Sequence, residues 1–129
     1  MMIDGGFGAT FDISIEPVST AQEEFKRDMV ESLRLAYGLL HFVVEPEILS
    51  KGGYLRPDLV VYLPGTTTAV MVADAKCRAR IERRDVMKVA SYKTATQSPR
   101  AQLWLPRTAH VTSGARLVAD AEGIDLVEV

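Results

Sequence analysis

Apolar residues recur along this chain at two spacings, and the change from one to the other marks out the elements. "FGATFDISIEP" places Phe7, Ala9, Phe11, Ile13 and Ile15 at period 2 and predicts a strand that Pro17 ends. After Ser19-Thr20 the spacing turns helical. Phe25, Met29, Leu33, Ala36, Tyr37 and Leu40 form one stripe, and Gln22 or Glu23 can close a capping box, so a helix is expected to about Gly38. "LLHFVVEPE", "PDLVVYL" and "AVMVADAK" follow as strands, the last two joined as a hairpin by "PGTTT". Val86, Val89, Ala90 and the stem of Lys93 predict a second helix from about Glu82 to Thr96. "RAQLWLP" is then a strand stopped by Pro106, "SGARLVADAEG" a helix ended by Gly123, and "IDLVEV" a final strand. "DGGFG" and "KGG" lack the strand and helix that flank a phosphate loop and read as turns. With no repeat, low-complexity tract or long linker, residues 1–129 are expected to form a single domain.

The order β-αβββαβ-αβ implies an α/β fold with a mixed central sheet and helices on both faces. The "AVMVADAK" and "AQLWL" strands should run parallel across a right-handed crossover. Alternation along "AVMVADAK" points Val70, Val72, Asp74 and Lys76 one way and Met71, Ala73 and Ala75 the other. The hairpin returns Asp74 to about the level of Asp58, so two carboxylates meet in a sheet that would otherwise be aliphatic. Such a pair repels and is costly to desolvate unless a cation neutralises it, and Lys76 supplies a single charge. Oxygen ligands of this kind suit Mg²⁺ or Mn²⁺. Taken one at a time, Pro57-Asp58 is a common turn dipeptide and Asp74-x-Lys76 a common strand-end ion pair.

Composition removes other chemistries. The chain has 47% hydrophobic and 25% charged residues, as an ordinary globular domain does. It contains no apolar run long enough for a bilayer, and its start lacks a signal peptide's basic and apolar regions, so a cytoplasmic location is expected. A single cysteine, Cys77, and two histidines, His41 and His110, leave no structural zinc cluster and no plausible Ser/His/Asp triad. Cys77 reads as core or inert, and Trp104 as packing. The net charge of −2 conceals a basic block: between Lys76 and Arg107 there are nine Lys or Arg against Glu82 and Asp85. That block is either a solvated helix face or a phosphate-binding surface.

Together, "RPDLVV", "VADAK" and the order of elements resemble the PD-(D/E)XK nuclease superfamily. Its signature is a helix with an acidic residue, Pro-Asp on one strand and Asp/Glu-x-Lys on the next. The local likeness is to RecB-type and McrC-type nuclease domains, in which a helix of pattern Asp-x-x-Gln-x-x-x-Tyr follows. "DVMKVASY" matches it at Asp85 and Tyr92 but has Lys88 where Gln is usual. The resemblance implies a restriction-endonuclease-like αβββαβ core, extended here by an N-terminal strand and a C-terminal helix and strand. It also implies Mg²⁺- or Mn²⁺-dependent hydrolysis of DNA. Asp58, Asp74 and the Ala75 backbone carbonyl would hold the metal, and Lys76 would act on the attacking water and the phosphate. Glu23 is favoured as the helix acid over Glu24 and Glu31, which project toward solvent. Gln22 lies within the stripe, where some relatives carry that acid. Arg78, Arg80, Arg83, Arg84, Lys88, Tyr92 and Lys93 would line the DNA, with Tyr92 equally readable as core. The expected assembly is a homodimer or a larger restriction or repair complex. A noncatalytic nucleic-acid-binding or assembly module with a degenerate nuclease fold is the alternative reading, and a Holliday-junction resolvase is a third.

Overall fold

A computed structural model describes residues 20–129. The strand expected over residues 7–15 lies outside the described residues. Thr20 caps α1 (Ala21–Ala36), its hydroxyl accepting the Glu23 N–H at 3.1 Å. β1 (His41–Val44), β2 (Ile48–Ser50) and β3 (Gly53–Leu55) follow, then β4 (Leu59–Tyr62), β5 (Ala69–Ala75) and β6 (Arg80–Ile81). α2 (Arg83–Thr96), β7 (Ala101–Leu105), β8 (His110–Val111), α3 (Ser113–Glu122) and β9 (Ile124–Glu128) complete the chain. α3 ends where Gly123 turns left-handed, at φ 68°.

Five strands form one mixed sheet in the order β1-β4-β5-β7-β9. β1 and β5 flank β4 antiparallel, whereas β5, β7 and β9 are mutually parallel. Helices cover both faces. Met29 and Leu33 of α1 pack on Leu59, Val61, Met71, Ala73 and Ala75. On the other face Val86, Val89 and Tyr92 of α2 and Ala115 and Ala119 of α3 pack on Val60, Val72, Leu103 and Leu105. Leu59 and Leu103 are fully buried, so truncating either to Ala should cost about 2–5 kcal/mol.

Three features depart from the simple alternation. Val61 pairs with Met71 but Tyr62 with Ala69, so β5 carries an extra residue, Val70. Ala69 therefore joins Val72 in the α2-side core, while Val70 packs with Met71 on the α1 side. The expected common face for Val70 and Val72 is corrected by this bulge, and only Val72, Asp74 and Lys76 keep the reading. Second, the "KGG" turn belongs to a small hairpin of β2 and β3, closed by the Ser50 hydroxyl donating to the Gly53 carbonyl at 2.8 Å. Third, β6 and β8 make a parallel pair that sets fully buried Ile81 beneath α2.

Candidate active site

Leu59 pairs with Ala73, which puts Asp58 opposite Asp74 one step later. There the backbone ladder gives out, because the preceding residue is Pro57 and has no N–H to offer. Side chains replace it. The Asp58 N–H donates to Asp74 Oδ1 at 2.9 Å, and the Ala75 N–H donates to Asp58 Oδ2 at 2.8 Å. Each carboxylate is thus fixed by a backbone N–H at or beside the other, leaving Asp58 Oδ1 and Asp74 Oδ2 as further acceptors. Asp74 is only 3% exposed. Burial and the charge of Asp58 push its pKa up to about 7, against the opposing pull of the Asp58 N–H and Lys76. The Lys76 ammonium lies 4.0 Å from Asp74 Oδ2, too far for a close ion pair and with its side chain 20% exposed. Asp58, Asp74 and Lys76 are therefore brought together at the C-terminal end of β5.

A divalent cation fits this donor set. One buried and one half-buried carboxylate that lack full compensation retain one oxygen each, and the Ala75 carbonyl can add a third. Mg²⁺ commonly takes a few protein oxygens and completes its shell with water and phosphate. That carbonyl already accepts one hydrogen bond, from Gln22 Nε2 at 2.9 Å, and has a second lone pair. Among the described residues, no group of three or more His, Cys, Asp or Glu side chains surrounds a potential cation position.

α1 presents Gln22 and Lys26 to the site, one turn apart, rather than Glu23. Glu23 is exposed and its carboxylate lies 3.6 Å from the Lys26 ammonium. Gln22 reaches across to β5: besides its bond to Ala75, its Oε1 accepts the Cys77 N–H at 2.8 Å. Lys26 hydrogen-bonds Glu45. Burial disfavours the Lys26 charge, but Glu45, Asp58 and Glu23 together hold its pKa above the usual lysine value. The same hydrogen bond lowers Glu45. Glu45 adopts a left-handed φ of 51°, and its N–H donates to the Asp58 carbonyl at 2.9 Å. The Lys26–Glu45 pair thus pins the backbone behind Asp58. Gln22 was visible in sequence as a polar interruption of the apolar stripe; Lys26 gave no signal.

The Tyr92 ring is core, at 3% exposed, but its hydroxyl senses the site. Burial first, then Asp74 and Asp58, push its pKa up to about 12. The basic block divides. Arg78 is held by buried Asp85 at 2.6 Å, and Asp85 also accepts the Glu82 N–H at 2.8 Å, locking the start of α2. Lys93 donates to the Glu122 carbonyl at the end of α3, and Arg83 lies along Gly114 of α3. Arg80 and Arg84 both flank Glu82 and are exposed, as is Lys88. Lys93 is thereby tied to α3, while Arg83 runs its stem along α3 and is itself exposed.

No protein-family profile matches the sequence, and no curated protein matches it significantly. The fold is similar to that of several solved structures. A repair endonuclease from Pyrococcus abyssi superposes with a TM-score of 0.60 at 18% identity, covering 88% of this chain and 49% of the endonuclease. EndoMS in a complex with dsDNA gives 0.56 at 18% identity over 91% of this chain and 48% of that one. A protein of unknown function gives 0.60 at 10% identity over 81% and 57%. At these identities the likeness shows the fold. This chain spans about half the length of those it resembles.

Proposed function

We propose that this chain is a metal-dependent nuclease of the PD-(D/E)XK type that hydrolyses phosphodiester bonds in DNA. The observation that carries the reading is the interlocked Asp58–Asp74 pair with Lys76 beside it, at the end of β5. DNA as the substrate is supported by two similar folds, a repair endonuclease and a DNA-bound EndoMS. Asp58, Asp74 and the Ala75 carbonyl would hold Mg²⁺ or Mn²⁺. When bound, the metal acts as a Lewis acid on the phosphate and lowers the pKa of water. The Lys76 ammonium orients the attacking water and offsets charge developing on the phosphate oxygens. Tyr92 stays protonated through the neutral range and offers its O–H as a donor. Arg80, Arg84 and Lys88 are free of α3 and can meet phosphates beyond the reacting one.

The test is cleavage of linear, single-stranded, branched and circular DNA with Mg²⁺ or Mn²⁺, with Lys76→Ala alongside. Cleavage by the parent and its loss in the variant are expected. Preferred cutting of the branched substrate would identify a junction resolvase. A second reading, a noncatalytic nucleic-acid-binding module, is favoured by one observation: α1 brings an amide, not a carboxylate, to the site. DNA binding without cleavage under every metal condition would select it.

A further inference from the structure

We infer that Gln22 is a positioning residue for Lys76, acting as a surrogate strand residue; this rests on the nuclease reading above. Its amide donates to the Ala75 carbonyl at 2.9 Å and accepts the Cys77 N–H at 2.8 Å. A residue in a parallel strand makes the same pair of bonds, to the carbonyl before and the N–H after the residue it faces. The residue bracketed in this way is Lys76. Its own N–H donates to the Trp104 carbonyl of β7 at 2.9 Å. The backbone of Lys76 is therefore held from both sides at the point where β5 has ended and β4 offers no partner.

The consequence is directional. A residue held extended sends its side chain to the same face as the residue two before it, so Lys76 projects toward Asp74. Without the amide, the Ala75 carbonyl and Cys77 N–H lose their partner, and between Lys76 and Ala79 the remaining ties are the Lys76 N–H on Trp104, Arg78 on Asp85 and the Ala79 carbonyl on the His110 N–H, none of which holds Cys77 itself. The Asp58 and Asp74 carboxylates have separate supports, the two backbone N–H groups of Asp58 and Ala75, and the Ala75 carbonyl, although it loses the Gln22 donor, stays held through its own N–H on Asp58 and keeps both lone pairs for a cation. Gln22 should thus govern Lys76 and leave cation affinity nearly unchanged.

The experiment is a double-mutant cycle of Gln22→Ala and Lys76→Ala on the metal-loaded chain with a cleavable DNA, read together with hydrogen exchange. For Gln22→Ala, kcat should fall by about 10- to 100-fold, the effect of a misplacement near 1 Å, with Mg²⁺ affinity and KM changed less than about threefold. Exchange of the Cys77 amide should quicken while those of β7 do not. Combining both substitutions should cost no more than Lys76→Ala alone, because residues that act as a unit are not additive. Gln22→Glu keeps the acceptor but loses the donor, and should quicken Cys77 exchange less than Gln22→Ala. Additive losses, an unchanged kcat, or a loss of Mg²⁺ affinity would overturn the inference. A parent that cleaves nothing would refute the nuclease reading and with it any positioning role, even if Cys77 exchange responds as described.

Discussion

Asp74→Asn should stabilise the metal-free chain at alkaline pH. The amide oxygen can still accept the Asp58 N–H now bonded at 2.9 Å, while the charge facing Asp58, Lys76 and Tyr92 disappears. In the parent, burial first and Asp58 second raise Asp74 from 3.8 to about 7. An acid raised in this way binds its proton more tightly folded than unfolded. Its contribution to stability is therefore complete below about pH 4 and is lost as the pH climbs through about 7. A shift of roughly 3 units at 1.36 kcal/mol each sets an upper bound on the order of 4 kcal/mol for the loss. Urea denaturation in EDTA, from pH 4.5 to 8.5, measures it directly. The Asn variant should match the parent at the acid end and exceed it by at least about 1 kcal/mol at pH 8.5. Mg²⁺ should then stabilise the parent and not the variant. A difference that stays flat with pH, or a variant less stable at pH 8.5, would refute the argument that the Asp58–Asp74 pair is uncompensated.

Asp58→Ala removes both a proposed metal ligand and the acceptor for the Ala75 N–H, so calorimetry should show Mg²⁺ or Mn²⁺ affinity lost; titration like the parent's would make Asp58 a turn residue only. Replacing Arg84 and Lys88 by Ala should flatten the log-log salt dependence of DNA binding by up to about two units, whereas Arg83→Ala, beside Gly114 of α3, should leave it nearly unchanged. Asp85→Ala, which unpairs Arg78 and uncaps the Glu82 N–H, should cost about 1–2 kcal/mol in chemical denaturation. Double-strand cutting by so small a chain calls for two active sites, so light scattering should find a symmetric dimer, at least on DNA; a monomer under all conditions would limit the chain to nicking.

Local pattern was enough to predict most of the described elements, because each face of the sheet needs apolar side chains at a fixed period. The stripes of α1 and α2, the alternation of β4 and β5 and the stops at Pro106 and Gly123 all follow from that requirement. The meeting of Asp58 and Asp74 was legible for the same reason, since a short turn between two strands sets their register. What the pattern did not carry was the extra residue at Val70, which depends on how β4 and β5 bend against two cores at once. The pairs β2–β3 and β6–β8 are two or three residues long per strand, too short to impose a period. At the site the difference is sharpest. Sequence favoured Glu23 because an acid was expected on α1, yet the rotation and depth of that helix depend on Met29 and Leu33 seating on β4 and β5. That seating delivers Gln22 to the end of β5, 53 residues away in the chain, and leaves Glu23 in solvent beside Lys26. The apolar period specifies which side of α1 faces the core. Only packing decides which polar residue at the rim of that side reaches a backbone carbonyl, because a helical step of 100° separates Gln22 from Glu23.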